Sequence, residues 1–269
     1  MLCSIQFFIK VYVFISKMAN RRLRDYCDLE ERLENFQKVS GRTEIFPIGE
    51  VRSKEDGKEY RMYRLDFNKT SKRVNICFSA GAHGEEMDGV NILLGFLEKH
   101  RNDKEILRKF GFVTFPVINP IAYEFRDYYK RNINRYFGRT DKKMEEVKNV
   151  ERALANESVD LFVDIHGDDE EHRFYCYERR FDKRFSIGRG IIDEVGRYYP
   201  INEERRIYRE VNVNGVVFAE NEEYTFEKFM FEKGAKFSLT IEFPIELPRE
   251  DRIGCGMLAL EAALKTYKN

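Results

Sequence analysis

Apolar residues recur along this chain with two spacings, and the switches between them divide it into helices and strands. Leu23, Tyr26, Leu29, Leu33 and Phe36 share one face at the helical repeat, and Ser40-Gly41 ends that run, so a helix is predicted over residues 23–39. Residues 43–67 change to a two-residue alternation, in Glu44-Ile45-Phe46 and again in Tyr60-Arg61-Met62-Tyr63-Arg64-Leu65. With Glu55-Asp56-Gly57 between them, this is the pattern of an edge hairpin. Short apolar runs at 74–79, 112–118, 159–165 and 237–243 predict buried strands, and residues 90–100, 143–156, 185–198 and 252–267 predict helices. Buried strands alternating with helices imply an α/β fold whose sheet is covered on both faces.

No repeat, low-complexity linker or composition break interrupts the pattern, so residues 21–269 read as a single domain. Residues 1–20 read as a poorly defined N-terminal extension. Its apolar stretch, Leu2 to Ile15, is interrupted by Gln6 and Lys10, is too short for a membrane span and is followed by no small-residue cleavage site. Met18 stands just before the charged helical segment and is a second candidate start. A membrane tether is the disfavoured reading.

Charge narrows the classes of partner. The 47 basic and 47 acidic residues cancel, which removes net charge as a drive towards nucleic acid or anionic membrane. Basic clusters such as Arg205-Arg206 with Arg209 are interleaved with acids and read as solvated faces. The five cysteines (Cys3, Cys27, Cys77, Cys176, Cys255) are odd in number and show no CxxC spacing, which favours reduced thiols and a cytoplasmic location.

Candidate chemistry gathers where predicted strands end. His83 and Glu86 stand three apart in Gly81-Ala82-His83-Gly84-Glu85-Glu86, immediately after the run at 74–79. His166 ends the run at 159–165, with Asp164 two residues back on the same face and able to orient the imidazole. Two imidazoles and a carboxylate suit Zn²⁺ with one coordination position left for water, and open α/β sheets bind ligands beyond the carboxyl ends of their strands. Each piece has a blander reading: a loop histidine, a carboxylate at a helix N-terminus, a satisfied histidine at a strand end. Glu85 competes with Glu86, and His172, in the acidic run Asp168-Asp169-Glu170-Glu171-His172, is the reserve ligand. Glu242 ends Phe237-Ser238-Leu239-Thr240-Ile241, where apolar neighbours raise a carboxyl towards the range of a general base. Asn134 and Arg135 offer a planar fork for a substrate carboxylate, and Arg126 or Arg131 a positive charge for a developing oxyanion.

In this order the motifs resemble the zinc carboxypeptidase family and, more distantly, its succinylglutamate desuccinylase/aspartoacylase relatives, over residues 74–267. His83 and Glu86 look like the family's first two zinc ligands and Asp164-Ile165-His166 like the third on its strand. Asn119-Pro120 followed by Asn134-Arg135-Tyr136-Phe137 looks like the segment that grips the substrate carboxylate, and Thr240-Ile241-Glu242 like the approach to the catalytic glutamate. The resemblance implies a mixed, mostly parallel central sheet of about eight strands, one Zn²⁺ per chain, and hydrolysis of a peptide-like amide bearing a free carboxylate. This chain departs from the pattern at three places. Asn132 stands where an aspartate is usual, the oxyanion arginine aligns first with Arg126 and second with Arg131, and Ala219 replaces the mobile tyrosine, leaving Tyr224 as a nearby substitute. Phe226 is expected in the specificity pocket, with no charge to select a basic side chain. Only a proline-bounded loop and one helix follow Glu242, which favours the carboxypeptidase branch over N-acyl amino acid deacylases, which carry an added β-rich domain. A cell-wall peptide amidase is the alternative substrate class, and a non-catalytic zinc-binding module the rival of another class.

Overall fold

The computed structural model describes residues 25–70, 73–126, 132–141, 143–220 and 223–268. The N-terminal extension and Met18 lie outside them. The chain runs through α1 (Tyr26–Val39), β1 (Thr43–Arg52), β2 (Glu59–Phe67), β3 (Val74–Ala80), α2 (Met87–His100), α3 (Lys104–Lys109), β4 (Phe110–Phe115), α4 (Pro120–Phe125), α5 (Glu145–Leu154) and β5 (Leu161–Asp168). It continues through β6 (Tyr175–Arg180), α6 (Ile187–Val195), β7 (Arg206–Ile207), β8 (Glu210–Val213), β9 (Val216–Phe218), α7 (Phe226–Glu232), β10 (Phe237–Pro244) and α8 (Arg249–Lys268).

One sheet holds these strands in the order β1-β2-β4-β3-β5-β10-β6-β9-β8-β7. Its centre is parallel (β4, β3, β5, β10) and buried on both faces, every residue of β4 and β5 being buried. That burial is why these segments read as unbroken apolar runs. The expected sheet is corrected in two respects: among the described residues it has ten strands, and both flanks carry antiparallel pairs, the second with one parallel pair, β6 with β9. The β1–β2 hairpin pairs antiparallel with β4, and β10 meets β6 antiparallel before the β9-β8-β7 meander. The extra strands are two to six residues long, too short to show a period.

The connections set the position of a crevice. From β3 the chain crosses to β4 on one side, then returns past β3 to β5 on the other, so loops leave the carboxyl ends of β3 and β5 in opposite directions. Such a reversal opens a ligand crevice between neighbouring strands. Helix α2 packs on this region closely enough that a Cβ at Gly89 would stand 3.0 Å from the Ile165 carbonyl oxygen. Asp88 at its start pairs with Arg249 (2.9 Å) and Arg252 (3.0 Å), tying the crevice helix to α8.

Candidate metal centre and cleft

The loop between β3 and α2 is folded by backbone constraints before any metal is considered. Gly81 has φ +67°, and a Cβ there would lie 3.1 Å from the Val117 backbone, so a side chain is excluded on two grounds. Asn119 then braces the loop. Its side-chain amide donates to the Ala82 carbonyl at 3.0 Å, and the backbone N–H groups of Ile118 and Asn119 donate to the carbonyls of Ala80 and Gly81. The result carries His83 over the end of β3 and sets Glu86 at the start of α2.

His166 lies within β5 itself, two residues before its end. The structure brings His83, Glu86 and His166 together: one ligand atom from each lies within 4.8 Å of the others, and all three side chains are buried. Glu86 Oε1 stands 2.6 Å from His83 Nδ1, and Oε2 stands 3.0 Å from His166 Nδ1 without forming a hydrogen bond. The far nitrogens are held as well. His166 Nε2 donates to Asp164 Oδ2 (2.9 Å), whose other oxygen accepts the Ser79 hydroxyl (2.5 Å). His83 Nε2 donates to Asn132 Oδ1 (3.3 Å), which also takes the Asn134 N–H (3.0 Å). Oxygen acceptors at both Nε2 atoms hold ring protons there and turn both Nδ1 atoms towards Glu86. Asn132 thus does the orienting that an aspartate would do, as a neutral acceptor at longer range. Two imidazole nitrogens, a buried carboxylate and an inward oxygen lacking a hydrogen bond are a donor set that fits Zn²⁺.

Electrostatics agree with a cation site. Burial raises the Glu86 carboxyl, but the His83 and His166 imidazoles outweigh it and leave it well below the usual range. Burial lowers the His166 imidazole, but the Asp164 and Glu86 carboxylates outweigh it and raise its pKa well above normal. A metal bound at His166 would compete with a proton for the same imidazole nitrogen. Zinc uptake near neutral pH should release about one proton, and apparent affinity should rise about tenfold per pH unit until the raised imidazole pKa is passed. Titration calorimetry in buffers of different ionisation enthalpy reads that proton; a heat independent of buffer contradicts it. Asp164→Asn, which keeps the shape but loses the charged acceptor, should weaken zinc about 10–100-fold in competition with a chelator.

Beside the cluster lies a cleft of about 460 Å³. Glu242 lines it, paired across β10 in register with His166 on one side and Tyr175 on the other. Burial pushes its carboxyl well above the ordinary range, His166 pulls it down, and Glu86 and Asp168 push it up again. Asn134 and Arg135 also line the cleft. Asn134 is buried, its Oδ1 accepting the Phe226 N–H at 2.8 Å, while Arg135 is exposed and pairs with Glu223 at 3.1 Å.

Other sequence candidates fall elsewhere. Arg126 caps α4 in the left-handed conformation (φ 55°), is exposed and does not line the cleft. Arg131 lies outside the described residues. Tyr224 faces outward beneath Arg139 and Lys228 rather than into the cleft. Phe226 is corrected: it is wholly buried and stacks on Phe137 with centroids 4.1 Å apart. Its neighbour Glu227 reaches the cleft instead, backed by Arg179 at 2.8 Å; burial pushes its carboxyl up to about 7 against the pull of that guanidinium. Glu85 is an exposed rim residue, and His172 pairs with Glu246 in solvent.

Sequence reasoning missed one wall of the cleft. Tyr175, Tyr177 and Tyr208 line it, and Asp168 accepts hydrogen bonds from Tyr175 (2.6 Å) and Tyr208 (3.0 Å). The alternation Tyr175-Cys176-Tyr177 was a readable signal for the first two; nothing local marks Tyr208, which sits in the tight turn between β7 and β8 with φ 51°.

An α/β sheet with two imidazoles and a carboxylate at its strand reversal, and a further carboxylate beside them, is an arrangement able to hold a cation next to a proton acceptor. The fold is shared with known proteins. Residues 72–187, which include His83, Glu86 and His166 but not Glu242, match the succinylglutamate desuccinylase/aspartoacylase catalytic domain family. A provisionally named metallopeptidase from Shewanella amazonensis SB2B is 22% identical with a TM-score of 0.78, over 90% of this chain and 93% of that one. A metallo-carboxypeptidase from Burkholderia cenocepacia is 19% identical with a TM-score of 0.64, over 89% and 69%. No curated protein sequence matches the chain. The chain thus shares its fold with these solved metallopeptidase structures. Among the described residues no helix is long and apolar enough to cross a membrane.

Proposed function

We propose that the cleft is the active site of a zinc-dependent carboxypeptidase, hydrolysing an amide bond whose departing side carries a free carboxylate. The observation that carries this is the meeting of His83, Glu86 and His166 beside Glu242 in one cleft. Zinc held by these three side chains supplies Lewis acidity and lowers the pKa of water in the site. Glu242, raised out of the ordinary carboxylate range, takes the proton of the attacking water and returns it to the leaving amine. The base works ionised, so activity falls as pH drops through its raised pKa. Asn134 and Arg135 receive the substrate carboxylate, which replaces Glu223 as the partner of the guanidinium.

The family-model match favours a second reading, deacylation of an N-acyl amino acid, in which the same residues act on an acyl group in place of a peptide. The test is a comparison, on zinc-loaded protein, of short peptides with free C-termini, the same peptides amidated, and N-acyl amino acids. The carboxypeptidase reading expects release of the terminal residue and loss of turnover on amidation. Efficient turnover of N-acyl amino acids alone overturns it.

A further inference from the structure

The β6 side of the cleft carries a chemistry that the hydrolytic reading does not use. Tyr175, Tyr177 and Tyr208 lie near enough to Glu242 for its charge to act on all three phenols. Tyr175 and Tyr208 both donate their hydroxyl hydrogens to Asp168, which is itself buried and fixed by the N–H groups of Glu170 and Glu171. A phenol whose hydrogen is committed in this way offers only oxygen lone pairs and a ring face to the cleft. It accepts hydrogen bonds and attracts cations, and has nothing to donate to a carboxylate. The adjoining rim, Asp169 and Glu170, adds negative charge within the same cleft.

We propose that this wall receives an ammonium group, so that the substrate is a short peptide held by its free carboxylate at Asn134–Arg135 and by a free amine at Tyr208 and the Asp169–Glu170 rim. The inference rests on the carboxypeptidase reading and sharpens it, because the wall repels the polyanionic N-acyl amino acids that the family model's description names. Tyr208 enters as a specificity residue, presented by a strained turn (φ 51°) and more than half exposed, where a substrate can reach it.

Zinc-loaded Glu242→Gln, which binds without turning over, is titrated with one short peptide in two forms, free amine and N-acetyl, and with an N-acyl amino acid. The free amine should bind about tenfold tighter than its acetylated twin, the size of one desolvated cation–π contact. In the same background, Tyr208→Leu joined to Glu170→Gln, which removes both the ring face and the rim charge, should reduce that ratio to about twofold or less while leaving the acetylated peptide's affinity unchanged. Equal binding of both peptide forms, or tighter binding of the acetylated one, overturns the ammonium wall and leaves the carboxypeptidase reading standing. Binding of the N-acyl amino acid alone, or of none of the three ligands, overturns both.

Discussion

Glu242→Gln is expected to take up about one zinc per chain, as the parent does, and to lose about four orders of magnitude in kcat, the upper range for a general base. The substitution keeps the size and polarity of the side chain and removes only its capacity to accept a proton. Glu242 is not among the three clustered ligands, so metal content should not change. Burial, Glu86 and Asp168 push its carboxyl up, as proton transfer near neutral pH demands. The assay pairs elemental analysis with single-turnover kinetics. Retained activity contradicts the assignment of the base, and lost zinc means that Glu242 belongs to the cation site.

His166→Ala is expected to abolish both zinc binding and turnover. His166 is buried near the carboxyl end of β5, fixed by Asp164 and facing Glu86. Its removal leaves two donors, too few for a structural or catalytic zinc site. It also strips Glu86 and Asp164 of a positively charged neighbour, leaving two buried carboxylates facing a cavity, which costs several kcal/mol. Thermal unfolding with and without added zinc separates the two effects. The parent should gain stability from zinc in proportion to ligand excess over Kd, while the variant should show no such shift. A zinc-dependent shift equal to the parent's contradicts ligation by His166.

Much of the centre was legible because it obeys local rules. The buried strands β3, β5 and β10 announce themselves as apolar runs, and a parallel sheet delivers their carboxyl ends to one edge, which is why His83, His166 and Glu242 converge. Asp164 was readable for the same reason, since residues two apart share a face. The flanks were less legible. Strands β7 to β9 are two to four residues long, and the docking of β9 on β6 is set by tertiary packing rather than by periodicity. Tyr208 belongs to that region, so its approach to Asp168 across forty positions of sequence left no local trace. Phe226 and Glu227 show how fine the limit is. One step along α7 turns a core ring stacked on Phe137 into a carboxylate on the cleft, and the family resemblance points to the ring. Arg126 was chosen by its distance from Asn119-Pro120, but the left-handed cap that ends α4 carries it outward.

The central claim is that two imidazoles and one carboxylate of this chain hold a single zinc ion. X-ray absorption at the zinc edge of the protein loaded with about one equivalent tests it most directly. The account predicts histidine scattering from two nitrogens at about 2.0–2.1 Å, with oxygen ligands alone completing the shell. Sulfur scattering near ~2.3 Å, or a spectrum unchanged by His83→Ala with His166→Ala, contradicts it.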